Sequence, residues 1–249
     1  LYPSTGDYDF NDFVFANKLD WQRGQGNKIV GGSVTTILWA VGGSIPHGLG
    51  MEVFSSNPPH DELTYMPDAT TFSGDGIQAD PNVTNGVILF NNAYDVMTQN
   101  YNNNGSGPTS DPDTISFTYT LNYNTKDVEI LTYFFKTSDP SDQIRTVGTP
   151  PTESANMSLF GTGQDDSPAS WDWTTGSSFS FPVSPSFYRT DLNHPWGIEF
   201  VTRDYEVAIE KISLIQAYPQ FQGWAESGGA NNQSWYDNPN SNKVFKFWN

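Results

Sequence analysis

Apolar and polar side chains alternate with a period of two in several stretches of this chain, most regularly in "DTISFTYTLNY". There Ile115, Phe117, Tyr119 and Leu121 fall on one face and Ser116, Thr118 and Thr120 on the other, the pattern of a half-buried strand. The same reading predicts strands in "DFVFANKLDW", "NKIVGGSVTTILWAVGG", "NGVILFNN", "DVEILTYFFKT", "SSFSFPV" and "WGIEFVTRDY". Gly, Asn, Asp or Pro clusters bound most of them, as they bound the strands of a sandwich. One segment departs from period two. In "AYPQFQGWAESGG", Ala217, Tyr218, Phe221, Trp224 and Ala225 recur at three- and four-residue spacing before Gly228 and Gly229, which predicts one short helix whose aromatic stripe covers an end or face of the sheet. "MTQNYNNNGSGPTSDPD" and "GTGQDDSPASWDWTTGSS" read as long polar loops. With no fixed-period repeat and no linker, the expected fold is a single domain over residues 1–249, an all-β, mainly antiparallel, jelly-roll-like β-sandwich with one short C-terminal helix.

Composition agrees with that pattern and narrows the partners. Seventeen Phe, twelve Tyr and eight Trp sit among 22 Gly and 17 Pro, a mixture that favours strands joined by turns. Eleven basic against 28 acidic residues give a formal charge of −17, with no basic patch, so a nucleic-acid backbone or an anionic membrane surface is repelled. The chain has no cysteine, which removes disulfides and thiolate metal sites. No apolar run reaches the roughly 18–20 residues of a membrane span. The sequence opens on Leu1 with no basic-then-apolar leader, as expected of a mature or excised form whose export signal lies outside it.

Candidate chemistry concentrates at the start, in "GDYDFNDF". In an extended segment Asp7, Asp9 and Asn11 project to one face and Tyr8 and Phe10 to the other, so three oxygen donors converge without a helix. Hard cations such as calcium take six to eight oxygen ligands from carboxylates, amides, backbone carbonyls and water. Asp12 falls out of that register; either the chain bends at Asn11-Asp12 or Asp12 caps the backbone of the following strand. An EF-hand is excluded, because its glycine position is Asp12 and its bidentate glutamate position is Lys18. The alternative is a solvated Asx-rich turn. Against it stands the mutual repulsion of three carboxylates, for which the next cation along the chain is Lys18.

"YPSTGDYDFNDFVF" resembles the opening of the LruC-domain family of bacterial surface and secreted proteins, which also appears as a domain of unknown function. The resemblance continues through "HGLGMEV", "GVILFNNA", "FGTGQDD", "YRTDLNHPWGIEF" and "AYPQFQGWAESGG", in that order. It implies a mainly β extracytoplasmic domain, attached to larger envelope or secreted proteins, with a calcium site at Asp7, Asp9, Asn11 and Asp12. It implies no activity. "SPASWDWTTGSSFSFPVSPS" is more elaborate than the family pattern.

For catalysis the chain offers only three histidines, His47, His60 and His194, none at metal-ligand spacing, and neither a G-x-S-x-G motif nor a phosphate loop. Paired carboxylates are too numerous to nominate a glycosidase pair without distances. The expected function is therefore non-catalytic: an extracellular or cell-surface calcium-binding sandwich that recognises a glycan or another surface ligand. Trp171 and Trp173, which flank Asp172, and Trp235 with Tyr236 are the ligand candidates, each with the alternative of a loop aromatic folded over the core. The second class is a structural subunit of a surface assembly, matrix or filament that contacts other protein subunits. For that class "KVFKFWN" is the candidate pairing strand.

Overall fold

A computed structural model of the chain describes residues 11–43, 46–56, 63–64, 70–83, 85–97, 112–125, 127–145, 205–227 and 230–246. Among them run twelve strands: β1 (Phe13–Arg23), β2 (Ile29–Val41), β3 (His47–Ser56), β4 (Leu63–Thr64), β5 (Thr70–Ser73), β6 (Gln78–Ala79), β7 (Gly86–Phe90), β8 (Asp113–Thr125), β9 (Asp127–Lys136), β10 (Asp139–Arg145), β11 (Val207–Ala208) and β12 (Val244–Phe245). One sheet has the order β1-β2-β8-β5 and a second the order β10-β9-β3-β7-β6, with β4 on β3; β11 and β12 form a separate antiparallel pair. Every strand pairing among the described residues is antiparallel, so the expected all-β sandwich class stands.

The two large sheets enclose one core. Val34 and Leu38 of β2 and Phe117, Tyr119 and Leu121 of β8 meet Leu49, Met51 and Val53 of β3, Val87 and Leu89 of β7 and Val128 of β9. The alternation in β8 thus does what it predicted: Phe117, Tyr119 and Leu121 are buried while Thr118 and Thr120 are exposed. Phe134 of β9 packs edge-on against Phe13 (5.2 Å) and Phe15 (5.9 Å), which sets β9 across the core from β1.

β3 lies outside the strands read from the pattern, because glycines interrupt its polar face. The reason for them is a close approach. Gly48 lies opposite Phe135 and Gly50 opposite Tyr133 on β9, and a Cβ on either glycine would come within 2.2 Å of the facing ring. Tyr133 and Phe135 lie flat over that glycine track and form a second apolar layer with Val83 and Ile88. Tyr133 also donates to the Asp80 carboxylate at 2.5 Å.

The single C-terminal helix is two short ones, α2 (Leu214–Ala217) and α3 (Phe221–Glu226), which follow α1 (Ala93–Val96) of the β7–β8 connection. Pro219 explains the break: proline disfavours helical geometry in the residue before it, and Tyr218 sits at φ −127°, ψ 89°. The predicted stripe is nonetheless a core, with Ala217, Tyr218, Phe221 and Ala225 wholly buried. The strands predicted in "SSFSFPV" and "WGIEFVTRDY", the two long loops and the Gly228-Gly229 stop lie outside the described residues, apart from the ends Tyr205, Met97, Pro112 and Asp113.

Candidate functional site

Asn11 and Asp12 enter the described part of the molecule directly before β1; Asp7 and Asp9 lie outside it. The Asn11 side chain is fully buried, and its Nδ2 donates to the carbonyl of Ala208 at 3.1 Å. Ala208 pairs across the β11–β12 ladder with Val244. One residue therefore receives both the start of β1 and the last strand of the chain. Around it Val14, Trp39 and Ala40 of the first sheet pack against Tyr205, Val207 and Phe245, a small apolar seam that joins the C-terminal aromatic cluster to the sandwich. Donation through Nδ2 is compatible with ligation through Oδ1, since the two ends of an amide act separately.

The chain bends at Asp12, and its carbonyl accepts from the amide of Gly42, which extends the β1–β2 ladder by one pair. Across this corner Tyr94 of α1 donates its hydroxyl toward the carbonyls of Gly42 (3.0 Å) and Gly43 (2.9 Å). The Asn92 side chain holds that tyrosine in place by accepting from its backbone N–H. Burial, and secondarily the negative charge of Asp12, push the Tyr94 hydroxyl above its ordinary pKa of 10.0. His47 completes the corner with its ring edge-on to Phe13 at 4.6 Å and 6.1 Å from Tyr94. The carbonyl oxygens of Asp12, Gly42 and Gly43 at this corner each accept a hydrogen bond from within the chain. Among the described residues no group of three or more His, Asp or Glu is arranged to hold a metal. Tyr94, Gly42, Gly43 and Ala208 carried no sequence signal linking them to the acidic motif.

The aromatic ligand candidates separate. Trp171 and Trp173 lie outside the described residues, as do His60 and His194. Trp235 is only 2 % exposed, in a single 3-10 turn at Trp235–Asp237. Phe221 (4.9 Å), Tyr218 (5.1 Å), Trp224 (5.7 Å), Tyr236 (5.8 Å) and Tyr205 (6.3 Å) enclose it. The expectation that Trp235 meets a ligand is corrected on this point: a ring enclosed by five others has no face left for a sugar, and its role is to fill the core. Tyr236 is half-buried against it.

Among the described residues no helix is long and apolar enough to cross a membrane. No curated protein matches the chain. A crystal structure from Bacteroides ovatus, described as that of a "putative lipoprotein", is similar in fold, with a TM-score of 0.56 at 16 % identity over 99 % of this chain and 72 % of that one. Nothing in these comparisons ties the chain to LruC domains; the broader expectation, a domain of unknown function, is the one they bear out. Residues 27–236, most of the chain, match a single family, and the protein belongs to it: the domain of unknown function DUF4842.

Proposed function

We propose that the chain is a non-catalytic, extracytoplasmic β-sandwich braced by calcium, which serves as a structural module of a surface assembly. The observation that carries this reading is the placement of Asn11, wholly buried and bonded to the same Ala208 that pairs with the final strand. Calcium held by Asp7, Asp9, Asn11 and Asp12 would neutralise the repulsion among the carboxylates and fix the opening segment where the sandwich meets the C-terminal cluster. Oxygen donors alone make up that set, which suits calcium. The seam at Val14, Ala40 and Val207 supports taking residues 1–249 as one unit. The lipoprotein description of the structural relative supports a place at the cell envelope.

Recognition of a glycan is the second reading. It is favoured by Trp171 and Trp173, whose spacing around Asp172 would put both rings on one face were that loop extended. The burial of Trp235 moves weight from this reading to the structural one.

Calcium that binds only the folded chain raises its stability by mass action. The melting temperature should rise with added calcium and fall with EDTA, and Asp9→Ala should abolish the difference. A melting temperature indifferent to both sinks the calcium brace. Glycan-array binding that is lost in the Trp171→Ala/Trp173→Ala protein would favour recognition over the structural role.

A further inference from the structure

We propose that the free edge of β1 pairs with the same edge of a second copy, antiparallel and centred on Leu19, to make a symmetric dimer. Among the described residues β1 is the outer strand of its sheet, hydrogen-bonded to β2 on one side. A Cβ on Gly32 of β2 would strike the carbonyl oxygen of Asp20, so that carbonyl points inward at β2. Backbone groups alternate in direction along an antiparallel strand. Those of Asn17, Leu19 and Trp21 accordingly face outward, a row of donors and acceptors ready for another strand.

The side chains on this edge are self-complementary. Lys18 and Asp20 share the outer face of the sheet, with their charged groups 2.9 Å apart and both largely exposed. Leu19 points to the opposite face and, at 38 %, is the one large hydrophobic residue exposed among the described residues. A twofold axis through Leu19 sets Leu19 against itself, Lys18 against Asp20 of the second copy and Asp20 against Lys18 of that copy, while Asn17 meets Trp21. Two opposite-charge cross-strand pairs and one apolar pair form at once. A slip by two residues would set Lys18 against Lys18 or Asp20 against Asp20. The charges that guard this edge against arbitrary strands therefore select one register of its own sequence.

This inference goes beyond the structural reading and needs no bound cation. With 28 acidic against 11 basic residues, copies repel at long range, so the measurement belongs at physiological ionic strength, where the screening length is about 8 Å. Sedimentation velocity from micromolar to millimolar protein should show a dimer that grows with concentration. Leu19→Pro deletes an outward N–H that the β1–β2 ladder does not use; it should give a monomer at every concentration with a melting temperature close to that of the parent chain. Lys18→Asp and Asp20→Lys each turn two attractive pairs into repulsive ones and should raise the dimerisation midpoint by about tenfold or more. The double exchange K18D/D20K restores opposite charges across the axis and should bring the midpoint back. A parent chain that stays monomeric throughout overturns the proposal. So does a dimer that survives Leu19→Pro, or a double exchange no better than its single variants.

Discussion

Replacing Trp235 by Ala is the sharpest test of how the C-terminal aromatic cluster works. The side chain is 2 % exposed, so essentially all of its surface leaves water on folding. A tryptophan buries about 200 Å², which at about 25 cal/mol per Å² corresponds to about 5 kcal/mol. Large-to-small substitutions of buried Trp cost about 3–5 kcal/mol, in line with that figure. Five rings lie within 6.3 Å and rest on one another through this indole, so collapse into the gap would have to move all of them. For a chain of this size about 1 kcal/mol moves the melting temperature by about 2–4 °C, so a fall of about 6–20 °C is expected by calorimetry. Trp235→Phe, which keeps a ring in the gap, should recover more than half of the loss. A Trp235→Ala protein that melts within about 2 °C of the parent would refute the core assignment and return this residue to the ligand candidates.

Two further outcomes follow from the tyrosines. The Tyr119 hydroxyl is buried and lacks a hydrogen-bond partner among the described residues, so Tyr119→Phe should leave stability unchanged or raise it by up to about 2 kcal/mol in denaturant unfolding; a loss of more than about 1 kcal/mol would contradict this. Burial holds Tyr94, Tyr119, Tyr205 and Tyr218 above the ordinary value of 10.0. A folded-state pKa above the unfolded one stabilises the fold below pH 10 and loses that contribution as pH rises beyond it. Phenolate absorbance should therefore show a group of tyrosines that ionises only together with alkaline unfolding, and smooth titration of all twelve in the folded protein would count against it.

The strands that alternate cleanly were legible because alternation reports burial on one face: β8 sets buried against exposed residues, and β2 buried against half-buried ones. β7 was legible as a short continuous apolar run, and all five of its residues are buried: Val87 and Leu89 join the main core, and Ile88 packs with Val83, Tyr133 and Phe135. β3 was not, although Leu49, Met51 and Val53 alternate as a strand should. Its other face pairs Gly48 and Gly50 with rings on β9, a relation that exists only once the register is known. The C-terminal stripe was read correctly as core but as one helix, since periodicity survives the interruption at Pro219. Trp235 misled for a local reason. Its neighbours Asn231, Asn232, Gln233, Ser234 and Asp237 are exposed as their polarity suggests, whereas the residues that bury it come from Tyr205 and the α2–α3 segment. Of the acidic motif, its oxygen chemistry was visible in the sequence; that Asn11 would reach a carbonyl 197 residues away was not.

The meeting of Asn11 and β12 at Ala208 also bears on how the protein would take a pull between those two points. Tension entering through Asn11 and leaving past Phe245 would run through the Asn11–Ala208 bond and the two-residue β11–β12 ladder without crossing the sandwich. The large sheets would stay slack until that short junction parts. Under a load applied between these two points Ala208 would act as a mechanical fuse, and whatever fixes Asn11 in place would set the force at which it yields.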